Sequence, residues 1–203
     1  MSEKKKIGIL GGTFNPIHTG HLILAERAYD EFGLDKVLII PTGISHFKLN
    51  DNVLGKDIRL EMTALAIEDN EHFELSLIEV NRPGNSYTYE TLELLKRENP
   101  DNEYYLIVGA DSLFAMETWV KPDIIFRDAV ILAAVRDGEG IEEIKSKADE
   151  LKVKFGADVR ILNSPMIDIS STEIRERVKN GNSIKYLVTD KVADYIYDNN
   201  LYY

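Results

Sequence analysis

Apolar and polar positions along the chain follow two alternating periods. The runs IGIL (7–10), VLIIP (37–41), FELSLIEV (73–80), YYLIV (104–108), AVILAAV (129–135) and ADVRIL (157–162) are short and rich in β-branched or aromatic residues, and predict strands. Between them the spacing turns helical: from about Gly20 to Phe32, from about Asp57 to Asp69, over YETLELLKRE (89–98) as far as Asn99-Pro100, and over the charged stretch 141–154. From SSTEIRERV (170–178) onward the pattern predicts two helices covering one end. Such alternation predicts an α/β fold, a Rossmann-like doubly wound parallel sheet with helices on both faces and a helical C-terminal portion. Ligands in these sheets sit at the carboxyl ends of strands, so the loops after strands matter most. Those loops are GGTFNPIHTGH after the first strand, PTGISHFK after the second, GAD (109–111) after YYLIV, and the loop beginning at Arg136 after AVILAAV.

Composition narrows the class without changing the fold. A length of 203 residues, with 44% hydrophobic and 29% charged positions, fits one soluble domain spanning 1–203. The absence of cysteine excludes disulfides, thiolate nucleophiles and cysteine-held zinc, and points to a reducing compartment. MSEKKK followed by IGIL is too short in its apolar part for a signal peptide, and no segment is apolar enough to span a membrane, so a cytoplasmic location is expected. A net charge of −11 argues against nucleic acid or anionic lipid as a partner. An anionic ligand would therefore need its positive groups concentrated in one cleft.

The first loop contains two of the four histidines, His18 and His21, three residues apart at the entrance to a helix. Gly11 and Gly12 before them allow a tight turn and close approach of a ligand to backbone amides. Neither GxxxxGK[ST] nor GxGxxG is present, which excludes the ordinary P-loop and dinucleotide fingerprints. HTGH also lacks the glutamate and the i, i+4 spacing of a zinc-binding HExxH, so no residue is assigned to a metal. What remains is imidazole at a helix N-terminus, where free amides already favour phosphate. Alone, such a pair is more often incidental than functional. A second anchor lies in ISSTEIRERV (169–178): Ser170 and Glu173 have capping-box spacing, which would present Ser171 and Thr172 to an anion with Arg175 one turn further on.

GGTFNPIHTGH resembles the (T/H)xGH signature of the nucleotidyltransferase superfamily, which transfers a nucleoside monophosphate to a phosphate acceptor, and ISSTEIR resembles its ISSTxIR motif. GNSYTYETL (84–92) and GADSLFAMETWVK (109–121) resemble the GxSYTxxTL and GAD...W motifs of the bacterial nicotinate mononucleotide adenylyltransferase family. The resemblance thus extends over essentially the whole chain. It implies adenylyl transfer from ATP, with Mg²⁺, to nicotinate mononucleotide in NAD biosynthesis. It further implies small-molecule partners only, and it leaves a homo-oligomer open.

Carried over residue by residue, the resemblance assigns ATP to Gly11, Gly12, Thr13, Phe14, His18, His21, Gly109, Ser170, Ser171, Thr172 and Arg175, with His18, His21 and Arg175 catalytic. It assigns the acceptor to Ser86, Tyr87, Thr88, Asp111, Trp119 and Arg136, with Trp119 stacked on the pyridine ring and Lys48 on a phosphate. Two departures stand out: Asn15 where the family often has Asp, and ISHFK (44–48) in place of PPHK, which separates His46 from Lys48. Rival readings are phosphopantetheine adenylyltransferase, a cytidylyltransferase for polyol phosphates, and a non-catalytic nucleotide-binding regulatory module. SYT and Trp119 speak against the first two, and intact His18, His21 and Arg175 against the third.

Overall fold

The computed structural model describes residues 4–45, 53–136, 140–165 and 167–203, with the side chains of Ile44, Ser45 and Arg136 also outside the description. Chain order runs β1 (Lys6–Gly12), α1 (Thr19–Phe32), β2 (Lys36–Pro41), β3 (Ile44–Ser45), α2 (Lys56–Ile67), β4 (Phe73–Leu75), β5 (Asn85–Ser86) and α3 (Thr88–Glu98). It continues with β6 (Glu103–Gly109), α4 (Ala110–Ala115), a 3₁₀ turn (Met116–Thr118), α5 (Pro122–Asp128), β7 (Ala129–Arg136), α6 (Ile141–Phe155), β8 (Val159–Ser164), α7 (Ser171–Lys179) and α8 (Asp190–Asp198). Six strands form one parallel sheet in the order β4-β2-β1-β6-β7-β8, while β3 and β5 pair separately. The strand order reverses between β1 and β6, the switch point at which doubly wound sheets open a crevice. No helix of the described residues is long and apolar enough to cross a membrane.

Side chains of the central strands point alternately to two cores. Val37, Ile39, Tyr105 and Ile107 face one side with residues of α1, α2, α7 and α8. Leu38, Ile40, Tyr104 and Leu106 face the other with residues of α3, α4, α5 and α6. Burial on both faces explains why these strands read as nearly continuous apolar runs in the sequence.

The structure differs from the sequence expectations in three places. FELSLIEV is a strand only over Phe73–Leu75. Ser76 N–H still donates to Ile39 O at 3.0 Å, but the chain then turns, with Asn81 N–H on Leu77 O and Arg82 N–H on Glu79 O. That turn buries Glu79 and Val80 together, which a strand alternating between faces would not do. Two short helices, α4 and α5, lie in the stretch 109–128 for which no element was expected; Pro122 at the first position of α5 is a helix-start signal that could have revealed it. The third difference is the β3–β5 pair, too short to register in periodicity.

Candidate active site

Two cavities open at the carboxyl ends of the strands. The smaller, about 370 Å³, has a floor of strand ends such as Ile9, Ile40 and Leu106, and its rim includes Gly11, Gly12, Thr13, Glu79, Ser86, Thr88 and Trp119. The larger, about 730 Å³, is walled by His18, Asp111, Ser164, Ser170, Ser171 and Thr172. Both are lined by His21, Leu24, Gly109 and Ser112, so they meet at one wall. A further groove of about 700 Å³, beside Lys5, Lys36 and Glu74, lies toward the opposite ends of the strands and holds none of the expected residues.

His18 is the N-cap of α1, in extended backbone. Its backbone N–H donates to His21 Nδ1 at 3.2 Å. An Nδ1 that accepts leaves the proton of a neutral imidazole on Nε2, and His21 lines the wall shared by the cavities. The two imidazoles stack with centroids 3.6 Å apart, and Phe14 meets His21 edge-on at 5.0 Å. His18 is only 8% exposed, and its Nδ1 is buried without a hydrogen-bond partner among the described residues. Burial draws the His18 imidazole down to about 4, so it is neutral at pH 7.

Phe14 is itself buried, so its ring supports His21 from below. Gly11 and Gly12 belong to the extended end of β1, in register with Ile40 and Pro41, and no left-handed turn occurs at either. Gly12 is needed for space: a Cβ there would come within 2.6 Å of the Phe14 ring. The left-handed residue is Phe14, with φ of 46°. That conformation costs a non-glycine roughly 1–2 kcal/mol. Contacts on both sides of Phe14 hold it there: Arg59 Nη1 donates to Thr13 O at 2.6 Å and Arg175 Nη1 to Asn15 O at 2.8 Å.

At the start of α7, Ser170 Oγ accepts from Glu173 N–H at 3.1 Å, the cap expected from the sequence. Ser171 Oγ donates to Pro16 O at 2.9 Å, which fastens this helix end to the first loop. Arg175 Nη2 donates to Thr172 Oγ1 at 3.1 Å, so the guanidinium bridges Thr172 in the larger cavity and Asn15 behind it. Asn15 Oδ1 accepts from the Tyr202 hydroxyl at 3.0 Å. Burial pushes the Tyr202 phenol up, while Arg175 and Arg59 draw it down.

At the other end, Thr88 opens α3 with Tyr87 as its extended N-cap. Ser86 Oγ accepts from Gly43 N–H at 3.1 Å, joining this turn to the loop after β2. Behind them Glu79, 7% exposed, accepts from Thr91 Oγ1 at 2.7 Å. Burial pushes its carboxyl up, against the Thr91 and Ser86 hydroxyls and Arg82, which draw it down. Trp119 is half-buried and lines the same cavity.

The fold therefore gathers Ser86, Thr88 and Trp119 in one cavity and His18, Ser170, Ser171 and Thr172 in the other. Asp111 lines the larger cavity with His18 and Ser170 to Thr172, apart from Ser86, Thr88 and Trp119. Gly11, Gly12 and Thr13, expected with ATP, line the smaller one next to His21. Arg136 ends β7 opposite Ser164, and its side chain, like Lys48 and His46, lies outside the described residues. Sequence reasoning missed Glu79, Tyr202 and Arg59. For Arg59 a signal existed: it lies with Met62, Thr63 and Ile67 on the buried stripe of α2, where a charge is out of place.

The sequence model described as cytidylyltransferase-like matches residues 9–177. A protein of Lachnoclostridium phytofermentans named "Probable nicotinate-nucleotide adenylyltransferase" is 42% identical over 198 residues, covering 98% of this chain and 99% of the relative. One of the same name from Clostridium tetani is 39% identical, again covering 98% and 99%. Among solved structures, Plasmodium falciparum nicotinic acid mononucleotide adenylyltransferase complexed with NaAD superposes with a TM-score of 0.80 at 22% identity, covering 98% of this chain and 97% of that one. With a family match reaching from β1 into α7 and relatives alike along their whole length, the chain belongs to the cytidylyltransferase-like family.

Proposed function

We propose that the protein is a nicotinate-nucleotide adenylyltransferase, joining ATP and nicotinate mononucleotide into nicotinate adenine dinucleotide for NAD biosynthesis. The observation that carries this reading is the meeting of the two cavities at His21 and Gly109, which lets a phosphate in one approach a phosphate in the other. An oxygen of the mononucleotide's 5′-phosphate attacks the α-phosphorus of ATP in line; the bond to the β-phosphate oxygen breaks and pyrophosphate leaves. The attacking phosphate is already ionised at neutral pH, so no protein nucleophile or base is required, and the enzyme contributes alignment and charge stabilisation.

His21 Nε2–H donates to the phosphoryl oxygens where charge develops, with neutral His18 stacked against it. The first amides of α7 and Arg175 serve the outer phosphates. Asp111 and Gly109 take the nucleoside side of ATP. The Ser86–Thr88 turn receives the pyridine carboxylate and Trp119 covers the ring. Enzymes of this family act on ATP with a divalent metal, and we take the ion to be Mg²⁺ carried in by the nucleotide. Among the described residues lining the larger cavity Asp111 is the only carboxylate, so the ligands are chiefly the phosphates of ATP.

A coupled pyrophosphate assay with ATP and a panel of acceptors tests the reading. Nicotinate mononucleotide should give the highest kcat/KM, above nicotinamide mononucleotide, phosphopantetheine and glycerol phosphate. Faster turnover of either of the last two would overturn it, and no pyrophosphate with any acceptor would favour a non-catalytic binding module.

A further inference from the structure

Arg59 is 2% exposed, and all four of its hydrogen-bond acceptors are backbone carbonyls. Nε donates to Leu54 O at 3.0 Å, Nη1 to Thr13 O at 2.6 Å, and Nη2 to Thr42 O at 2.7 Å and Gly43 O at 2.9 Å. These acceptors come from three separate segments: the loop after β1, the loop after β2, and the approach to α2. A buried guanidinium is a costly way to hold a fold, because its desolvation must be offset by well-formed hydrogen bonds. An apolar residue on the same stripe of α2 would fill the space but could not span these carbonyls.

Two of the three bonded segments continue into the site, one into each half. The loop after β1 runs from Thr13 to His18 and His21, and Arg175 takes the carbonyl of Asn15 at 2.8 Å. The loop after β2 passes directly to the other half, since Gly43 N–H donates to Ser86 Oγ at 3.1 Å. Leu54 N–H closes the ring by donating to Asn15 Oδ1 at 3.3 Å. One side chain thus stands between the loop that presents the histidines and the loop that holds the pyridine turn.

We propose that Arg59 is a positioning residue for the transfer reaction: by gripping both loops it sets the distance between them, and so the alignment of the acceptor phosphate with the α-phosphate of ATP. The role rests on the adenylyl-transfer reading of the site. Each substrate keeps its own contacts when the grip is lost, so the effect falls on alignment rather than on either affinity. Displacements on the order of 1 Å at a reacting centre can lower a rate by about 100-fold. Lysine cannot substitute, because three donors on one nitrogen do not reach carbonyls arrayed around a planar fork.

The test uses Arg59→Lys and Arg59→Met in the full chain, with folding checked by circular dichroism and thermal melting. For the folded protein, kcat should fall about 10- to 100-fold while KM for ATP and for nicotinate mononucleotide each move less than about threefold. A purely structural Arg59 would lower the melting temperature and leave kcat per folded molecule unchanged, which would overturn the proposal. So would a defect confined to the KM of one substrate. Gly43→Ala provides a variant in which Arg59 is intact: its Cβ would meet Glu79 O at 2.5 Å and push the loop after β2 aside. It should reproduce the fall in kcat, and it decides the question if neither Arg59 variant folds; a wild-type kcat in folded Gly43→Ala overturns the role. Wild-type protein that releases no pyrophosphate overturns the reaction and this role together, whereas an active wild type matched by Arg59→Lys removes only the role of Arg59.

Discussion

The two halves of the site are built in different ways. The larger cavity takes His18, His21, Ser170, Ser171 and Thr172 from two short contiguous stretches, each at the N-terminus of a helix, and adds Asp111 and Ser112 from α4 and Ser164 from the end of β8. The smaller one is assembled from the ends of β1, β2 and β6, the turn before α3, and Trp119 beyond α4. Handling a triphosphate takes N–H donors at close spacing, which one helix turn can supply locally. Holding a flat ring takes walls on several sides, which only tertiary packing supplies. Damage in the first half should therefore appear in turnover and ATP use, and damage in the second in acceptor use.

The largest effect that tests this division is at the shared wall. His21→Ala removes a preorganised Nε2–H donor and should lower kcat by about 10²–10³, the usual scale for one such donor. KM for the pyridine mononucleotide should barely change. Steady-state kinetics with each substrate varied in turn would check it, and a loss seen only in acceptor KM would break the comparison.

His18 gives the next largest effect, in stability rather than rate. Its folded value of about 4 lies below the ordinary 6.5, because the buried imidazole resists charging. Below pH 6.5 the unfolded chain takes up a proton that the folded one refuses. The stabilisation is therefore complete above pH 6.5 and is lost progressively down to about pH 4, by at most roughly 3 kcal/mol. Glu79 in the other half has the opposite sign: its raised value favours the protonated folded state at low pH, and that benefit fades as pH rises above the ordinary carboxylate range. Urea melts from pH 7 to 4 should show stability falling in wild type and a shallower fall in His18→Gln. Equal slopes would remove His18 as the acid-sensitive group.

The same contrast explains what could be read from the sequence. The six main strands, the order of layers, the cap at Ser170 and both phosphate-side motifs are encoded by residues near one another, so periodicity and motif spacing reveal them. Glu79 and Arg59 acquire their meaning only through partners 12 and up to 46 positions away. FELSLIEV has the composition of a strand throughout, yet its pairing with β2 ends at Ile39, and the bonds that follow are turn bonds within 77–82. Asp111 and Trp119 share one sequence motif but line different cavities. The intervening α4 and 3₁₀ turn carry the chain from one cavity to the other.

Acceptor choice is the next smaller effect, and on the proposed reading it belongs to the smaller cavity. Backbone amides of the Ser86–Thr88 turn can only donate, which suits both oxygens of a carboxylate but opposes the NH₂ of a carboxamide. An unmatched buried polar group costs about 1–3 kcal/mol, so kcat/KM should favour nicotinate over nicotinamide mononucleotide by about one to two powers of ten. Trp119→Ala should harm both acceptors alike. Equal kcat/KM for the two mononucleotides would show that some group in this cavity accepts from the amide.

The smallest effect lies behind Thr172, in the first turns of α7. Arg175 divides its fork between Asn15 O at 2.8 Å and Thr172 Oγ1 at 3.1 Å, so part of its work is to hold the helix end against the first loop. Arg175→Lys keeps the charge for the outer phosphates and loses the simultaneous grip on two acceptors. A net loss of about 1 kcal/mol, with the charge kept, predicts a rise in KM for ATP of about fivefold with kcat and the acceptor's KM nearly unchanged. Arg175→Ala, which also removes the charge, should raise the ATP KM further. If the lysine variant instead lost affinity for the mononucleotide, Arg175 would be serving the acceptor's phosphate, and ATP and the mononucleotide would have to exchange cavities.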